Sequence, residues 1–297
     1  MTTTRRRFLS SGAAGAALAL GGRALATEPV SRVGGPRLKL GLAAYSLRDF
    51  LTGQKAPAMD LEGFIDWSAE RQVDGVELTS YYFPETFDRE YLGRLKRRCH
   101  LLGLGIIGCP VRNTFTFPPG PEREENVAHV KRWIDHAGDL GAPTLRIFAG
   151  DLQPGQSLAE ARKNCVESIE ACSEHAALRG VLLGLENHGG IVAEADSLLA
   201  IVKAVDSDFC GINLDSGNFR TDDPYGDFER CTPWAVSVQI KTEIQPRGQA
   251  KQPADLARLV EILKRCGFRG YATLEYEAEE DPLTAVPREL ERLRALL

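Results

Sequence analysis

Four oxygen-bearing side chains stand at or near the ends of short apolar segments of the sequence. A carboxylate that follows a buried apolar run is costly unless it is paired or bound to a cation. Three carboxylates and one amide carbonyl that converge would form an oxygen-rich site, which favours Mn²⁺, Mg²⁺ or Co²⁺ over a zinc site built from thiolates. The candidate metal ligands are Glu186, Asp215, Gln239 and Glu275.

Each of these acids also has a simpler interpretation. A carboxylate can pair with a basic neighbour such as Arg146 or Lys241, or it can cap the N-terminus of the following helix. The repetition of the pattern weighs against that interpretation, because Glu186, Asp215 and Glu275 occupy equivalent positions after three apolar runs. The sequence therefore predicts one bound divalent metal ion per chain.

Further polar residues lie near the segment ends and are candidates for binding the hydroxyl groups of a substrate. Of the five histidines, His188 alone stands at the end of an apolar run, while the other four lie in helical patterns. Lys241 has an alternative role as the ion-pair partner of a metal-binding carboxylate, and for Tyr45 and Asn113 the alternatives are packing and loop capping. The candidate set is His188, Asn187, Asn218, Lys241, Tyr45, Glu77 and Asn113.

The elements that must position these side chains alternate along the chain from Leu38 onward. A short apolar or β-branched run is followed by a loop and then by a stretch whose apolar residues recur at three- and four-residue spacing. This alternation predicts parallel strands joined by crossover helices, and eight such units close a (β/α)8 TIM barrel. The predicted strands are residues 38–45, 73–79, 104–109, 144–149, 181–186, 211–215, 236–241 and 271–275.

The pattern predicts one α/β barrel domain over residues 37–297, with no second domain. In such a barrel the C-terminal ends of the strands form one mouth, where side chains at the strand ends converge. Glycines before four of the strands, at positions 103, 141, 180 and 267, fit helix C-terminal glycines, whereas residues 218–233 predict a short or irregular helix. The seven cysteines show no CxxC spacing and are expected to be buried apolar residues.

The first 26 residues have the composition of an export signal. The consecutive arginines Arg5 to Arg7 precede Phe-Leu, an apolar run and the small-residue sequence Ala24-Leu25-Ala26. The paired arginines resemble a bacterial twin-arginine signal, which predicts export to the periplasm, and residues 27–36 are expected to be a linker. An uncleaved N-terminal anchor is the alternative. No segment reaches the roughly 20 apolar residues that a transmembrane helix requires.

Four motifs at the predicted strand ends together resemble those of one known family. They are Gly184-Leu-Glu186-Asn187-His188, Leu214-Asp215-Ser-Gly-Asn218, Val238-Gln239-Ile-Lys241 and Leu274-Glu275. The chain from residue 38 to 297 resembles the sugar phosphate isomerase/epimerase superfamily, whose members have a xylose isomerase-like barrel. The resemblance implies that Glu186, Asp215, Gln239 and Glu275 hold one divalent ion, with Mn²⁺ as the expected ion. It also implies that Glu186 and Glu275 act as base and acid on opposite sides of the substrate.

Two positions depart from the pattern of that family. Many members carry a histidine where this chain has Asn218, and a histidine where it has Gln239. An amide is a weaker ligand than an imidazole and does not titrate near neutral pH, so proton transfer would depend on carboxylates, His188, Lys241 or a bound water. The scarcity of histidines also argues against the related barrel endonucleases, which use several histidines for a zinc cluster.

The resemblance implies isomerisation or 3-epimerisation of a ketose. A proton would be removed next to the carbonyl, and the resulting enediolate would be stabilised by the metal. One alternative is an elimination enzyme that cleaves 3-keto glycosides on the same barrel, which export and the two amide substitutions favour. A second alternative is a non-catalytic sugar-binding accessory subunit, against which the intact set of carboxylates speaks.

Charge and composition narrow the expected partners. Without residues 1–26 the chain has 32 basic and 41 acidic residues, a net charge of −9, which disfavours nucleic acid or an acidic membrane surface as a partner. There is no cluster of arginines with a glycine-rich turn that would bind a phosphate group. The expected ligand is therefore a free sugar or a glycoside, and the sequence is compatible with a homo-oligomer.

Overall fold

The predicted alternation of strands and helices is present in the computed structural model, which describes residues 27–297. Every one of the eight predicted strands is found, with ends that coincide or differ by at most two residues. The barrel strands are β1 (Arg37–Ala43), β2 (Gly75–Glu77), β3 (Gly105–Gly108), β4 (Thr144–Ile147), β5 (Leu182–Glu186), β6 (Cys210–Asp215), β7 (Ala235–Ile240) and β10 (Arg269–Leu274). A short antiparallel pair, β8 (Glu243–Ile244) and β9 (Gln252–Pro253), lies in the loop after β7.

The eight strands are parallel and are ordered β3-β2-β1-β10-β7-β6-β5-β4. Hydrogen bonds from the Cys109 amide to the Thr144 carbonyl, 3.0 Å, and from the Val111 amide to the Arg146 carbonyl, 3.0 Å, join the two outer strands. The register places Asp215 beside Gln239 on β7. This arrangement is a single TIM barrel, and the predicted fold class is confirmed.

Helices cover the outside of the barrel and bury their apolar faces against the strands. They are α1 (Arg48–Leu51), α2 (Leu61–Glu70), α3 (Arg89–Leu101), α4 (Pro121–Leu140), α5 (Leu158–Arg179), α6 (Ala195–Ala204), α7 (Pro224–Cys231), α8 (Leu256–Arg265) and α9 (Pro282–Arg294). The predicted short helix is the eight-residue α7. Gly141 and Gly180 end α4 and α5 with φ of 82° and 66°, a conformation that favours glycine.

Residues 27–36 form no helix or strand, but they are packed against the barrel. The Thr27 amide donates a hydrogen bond to the Lys203 carbonyl, and the Val30 amide donates one to Pro233. The Arg32 guanidinium stacks on the Phe268 ring, 5.0 Å from its centroid. The predicted export signal, residues 1–26, lies outside the described residues. Among residues 27–297, no helix is both long enough and apolar enough to cross a membrane.

Tyr271 of β10 fills the N-terminal end of the barrel interior, the floor, where glycines on β2 and β3 leave room for it. A Cβ atom at Gly105 would lie 2.2 Å from the Tyr271 hydroxyl, and one at Gly75 would lie 2.7 Å from the Tyr271 ring. This end of the barrel is therefore densely packed.

The cysteines agree with their predicted role, because all seven are unpaired and six of them are buried.

We expect Gly75→Ala to lower the free energy of unfolding by about 1–3 kcal/mol, because the added methyl group meets backbone and ring atoms that are already closely packed. Gly93→Ala is the matched control, since Gly93 is exposed on α3 with no atom near the added methyl group. That control should be stabilised by up to about 1 kcal/mol, the helix propensity difference. Urea unfolding of the three proteins measures both effects, and equal stability of both variants would contradict this packing.

Candidate active site at the barrel mouth

Ionisable and amide side chains from five strands meet at the C-terminal edge of the barrel. Each follows from the strand that carries it: the strands run in parallel, so their final residues lie at the same edge. Six of these side chains are buried, with relative exposures between 0% and 7%. They are Glu77, Glu186, Asp215, Gln239, Lys241 and Glu275.

Lys241 lies at the centre of three carboxylates. Its Nζ atom is 2.9 Å from Glu275 Oε1, 2.8 Å from Glu277 Oε2 and 3.3 Å from Asp215 Oδ2. Burial alone lowers the pKa of Lys241, but these three carboxylates outweigh it and raise the pKa well above its usual value. Lys241 therefore keeps its positive charge in the mouth of the barrel.

Glu186 has two other partners. The Arg146 Nε atom lies 2.8 Å from Glu186 Oε2, and the Asn218 amide donates a hydrogen bond of 2.9 Å to Glu186 Oε1. Arg146 is held by stacking on Phe148, 3.9 Å from the ring centroid, and by a hydrogen bond to the Val111 carbonyl. Desolvation raises the pKa of Glu186 to about 7, although Arg146 opposes the rise. Glu186 can thus exchange a proton near neutral pH.

Gln239 belongs to a hydrogen-bonded chain that ends on Glu77. The Ser237 hydroxyl donates to Asn213 Oδ1, the Asn213 amide donates to Gln239 Oε1 at 2.8 Å, and Gln239 Nε2 donates to Glu77 Oε1 at 2.9 Å. Desolvation and the nearby Glu275 raise the pKa of Glu77 to about 8. The oxygen of Gln239 therefore already accepts one hydrogen bond, from Asn213.

The mouth holds more acid than base among the described residues. Five carboxyl groups, those of Glu77, Glu186, Asp215, Glu275 and Glu277, contact or surround two buried cations, Lys241 and Arg146. Burial and the neighbouring carboxylates raise the pKa of Asp215 well above its usual value. The buried Asp215 Oδ2 atom also makes no hydrogen bond. The oxygen donors of these carboxyl groups are therefore of the type that a divalent cation such as Mg²⁺ or Mn²⁺ prefers.

The predicted four-ligand set is nevertheless not preformed. In residues 27–297 no three His, Cys, Asp or Glu side chains converge in an arrangement that could hold a metal. The reason lies in the partners: Asp215 and Glu275 both contact the Lys241 ammonium, Glu186 contacts Arg146, and Gln239 bonds to Asn213. The ligand assignment stays a prediction.

Two of the predicted substrate-binding residues have their amides engaged in bracing the backbone. Asn187 donates to the Asp215 carbonyl and accepts from the Asp215 amide, both at 2.9 Å. Asn113 donates to the Phe148 carbonyl at 2.8 Å and accepts from its amide at 2.9 Å. Asn187 and Asn113 therefore each join neighbouring segments at the strand ends, and their assignment as substrate-binding residues stays a prediction. For Asn113 this is the loop-capping alternative.

The remaining predicted residues lie around the acidic centre. His188 stacks on Phe148, with 4.5 Å between the ring centroids, and burial together with Arg146 and Lys241 lowers its pKa. His188 and Asn218 border a cavity of about 280 Å³. Tyr45 has its ring centroid 6.0 Å from Lys241 Nζ. These side chains are placed where they could contact a substrate.

Several residues at the mouth were not found from the sequence as site residues. Glu277 follows Glu275 by two positions, which is the spacing of one face of a strand and was a usable signal. Tyr81 lies in a short 3-10 helix (Ser80–Tyr82) with no such signal, and its hydroxyl lies 3.3 Å from an Arg146 nitrogen. A cavity of about 470 Å³ opens beside them and is lined by Tyr45, Arg48, Asp49, Thr52, Gln54, Tyr81, Tyr82 and Arg112.

Comparison with known proteins places this geometry in context. The family model described as "Xylose isomerase-like TIM barrel" matches residues 65–296. Comparison with curated protein sequences gives no significant match.

Solved structures share the fold. A 3-keto-D-glucoside 4-epimerase from E. coli is 17% identical, with a TM-score of 0.69 over 87% of this chain and 100% of that chain. A D-psicose 3-epimerase from Clostridium cellulolyticum H10, solved with D-tagatose, is 15% identical, with a TM-score of 0.71 over 88% and 99%. The IolI protein with a bound zinc atom is 17% identical, with a TM-score of 0.69 over 87% and 96%. At these identities the likeness concerns the fold.

We expect the stability of the metal-free protein to fall as the pH rises from about 5 to 8, because Glu77 keeps its proton in the folded state up to a pKa of about 8 and loses it earlier when unfolded. Glu77→Gln should flatten this dependence, since the amide retains an acceptor for Gln239 and cannot ionise. Urea unfolding at both pH values measures the difference, with Glu90→Gln on the exposed face of α3 as the control. A wild-type slope that persists unchanged in Glu77→Gln would contradict the assignment.

Proposed function

Because the chain belongs to the xylose isomerase-like TIM barrel family, we propose that it is a divalent-metal-dependent sugar isomerase or epimerase. It would remove a proton from the carbon next to a sugar carbonyl and return it through an enediolate. The observation that carries this proposal is the cluster of buried carboxyl groups around Arg146 and Lys241 at the barrel mouth. Such a cluster offers proton acceptors and permanently charged cations within one water-poor site.

Glu186, Asp215 and Glu275 are the residues that would hold the metal, with Mn²⁺ as the expected ion and Mg²⁺ or Co²⁺ as alternatives. The excess of carboxyl groups supports this assignment, as does the Asp215 Oδ2 atom, which contacts Lys241 but makes no hydrogen bond in residues 27–297. Gln239 would join them through the second lone pair of its oxygen, which already accepts a hydrogen bond from Asn213. When bound, a divalent ion supplies Lewis-acid polarisation of the sugar carbonyl.

The side chains of the protein would carry the proton. Glu186 is the expected base, and Arg146 and Asn218 orient its two oxygens. Glu275 is the expected partner acid. His188 has a lowered pKa, so its neutral imidazole can bind a sugar hydroxyl at neutral pH. Arg146 adds positive charge beside the position where the enediolate would form.

The structural neighbours suggest a substrate class for this protein, and residues 1–26 suggest where it is located. Two of the structural neighbours are named as epimerases, one for a 3-keto-D-glucoside and one for D-psicose, which supports a free sugar or glycoside as the substrate class. We also propose that residues 1–26 direct export to the periplasm by the twin-arginine route, on the strength of their sequence alone.

A second candidate function, elimination from a 3-keto glycoside, is favoured by the cavity of about 470 Å³ beside the acidic centre. Its aromatic wall is made by Tyr45, Tyr81 and Tyr82. Arg48 stacks on Tyr45 at 5.2 Å and Arg112 stacks on Tyr81 at 4.8 Å. Aromatic faces and planar polar groups suit the apolar face and the hydroxyl edge of a second ring. The same proton removal would then expel the second ring instead of returning the proton.

We expect solvent deuterium to enter the carbon next to the carbonyl of a ketose or 3-keto sugar, and we expect Glu186→Gln and Glu275→Gln to slow this exchange by about 10²–10⁴-fold, the usual contribution of a general base. NMR in D₂O with Mn²⁺ removed after the reaction gives the rate, and protein stripped with a chelator should be inactive until Mn²⁺ is restored. Glu261→Gln, exposed on α8, is the control. Turnover without exchange would point to a hydride shift, and no turnover of any sugar would favour the accessory-subunit alternative.

We expect Tyr82→Ala to raise KM for glycosides by about five- to tenfold, because it removes one aromatic wall of the cavity, and to leave KM for a free keto sugar unchanged. Tyr82→Phe keeps the ring and should behave as wild type. Steady-state kinetics with both substrate types tests this. Release of the second ring from a 3-keto glycoside would establish elimination. Equal KM changes for both substrate types would show that the cavity does not bind the second ring.

A further inference from the structure

The Lys241 ammonium occupies a position that a divalent cation at this site would need. Two of its three carboxylate contacts, Asp215 Oδ2 at 3.3 Å and Glu275 Oε1 at 2.9 Å, are with proposed metal ligands. A metal ion binds carboxylate oxygens at about 2.0–2.2 Å, so an ion on these same oxygens would lie within a few ångströms of Nζ. Two positive charges at such a distance in a buried site repel strongly. The ammonium and the metal ion therefore exclude each other.

The side chain of Lys241 can leave while its backbone stays. The Lys241 amide donates a hydrogen bond of 2.8 Å to the Ser216 hydroxyl, which fixes the main chain at the end of β7. The lysine stem is flexible, with four rotatable bonds. Gly217 admits the stem in its present position, because a Cβ atom there would lie only 2.7 Å from Lys241 Cγ.

A place for the displaced ammonium lies next to it. A cavity of about 70 Å³ is lined by Lys241 itself together with Gly217, Asn218, Arg220, Thr242, Glu243, Lys251, Glu277 and Ala278. This volume exceeds what one water molecule needs, so it can take an ammonium group. Glu277, which already contacts Nζ at 2.8 Å, lies on the border of the cavity and can remain a partner during the movement.

We propose that Lys241 is a displaceable internal counter-ion, which balances Asp215 and Glu275 in the metal-free protein and moves into the adjoining cavity when a divalent cation binds. This inference rests on the proposed metal site. It means that metal binding is always a competition, so the apparent metal affinity is lower than the carboxylates alone would give. It also means that the metal-free protein does not leave the acidic centre without a counter-charge.

The first test is the affinity for Mn²⁺ of the chelator-stripped protein, measured by isothermal titration calorimetry. Lys241→Met should bind Mn²⁺ at least about tenfold more tightly than wild type, since the competing charge is gone. Lys163→Met is the matched control, because it removes one positive charge from the exposed face of α5, where Lys163 pairs with Glu167. Lys241→Arg keeps the charge and should not gain affinity. An affinity of Lys241→Met equal to that of Lys163→Met would overturn the proposal.

Thermal unfolding gives a second readout for the same variants. Metal-free Lys241→Met should melt at a lower temperature than wild type, and saturating Mn²⁺ should raise its melting temperature by more than it raises that of wild type. A metal-free Lys241→Met protein as stable as wild type would contradict the counter-ion role.

A third readout needs no variant. Lys241 is only 5% exposed, so its amine should react slowly with an acylating reagent in metal-free protein and faster once Mn²⁺ has moved it, as peptide mass spectrometry would show. Labelling of Lys241 that is unaffected by Mn²⁺, in a protein that binds the ion, would overturn the displacement and leave the metal site intact. If neither wild type nor Lys241→Met binds Mn²⁺, the proposed metal dependence fails and this inference fails with it.

Discussion

The arrangement of the barrel mouth depends on the cost of burying four carboxyl groups, with the half-buried Glu277 next to them, beside two cations. A buried carboxylate is stable only with a compensating charge or with its proton retained. Both solutions are present: Asp215 and Glu275 share the Lys241 ammonium, while the pKa of Glu186 rises to about 7 and that of Glu77 to about 8. This imbalance leaves the site with groups that can gain or lose protons near neutral pH.

The opposite end of the barrel shows why this strain is tolerated. Glycines on β2 and β3 admit Tyr271 into the barrel interior, and apolar residues fill the space between strands and helices. The hydrogen bonds that join β3 to β4 complete the ring of strands. A closed, densely packed scaffold fixes the strand ends, so the carboxyl groups cannot separate to relieve their repulsion. Close packing at the floor therefore stabilises the barrel, and the ionisable groups lie at the mouth.

The fold could be predicted from the sequence because eight apolar runs alternate with helical patterns, and a parallel barrel places all strand ends at one edge. That rule also gathered Glu186, Asp215, Gln239 and Glu275. It could not give the partner of each side chain, because Asn213 and Gln239 meet across neighbouring strands and Asn187 turns to the Asp215 backbone. Tyr81 was missed because its 3-10 helix has only three residues, too few for a periodic pattern to mark a side chain. Contacts made by such short connecting segments depend on tertiary packing rather than on local pattern.

Asp215 and Glu275 are balanced by one cation at a time, either the Lys241 ammonium or a divalent ion. A crystal of the wild-type protein soaked in Mn²⁺, with an anomalous difference map recorded near the manganese edge, tests this most directly. The account predicts one anomalous peak in contact with Asp215, Glu275 and Glu186, with Lys241 Nζ moved into the cavity beside Glu277. A map without a peak, or with a peak while Lys241 still contacts Asp215 and Glu275, would contradict it.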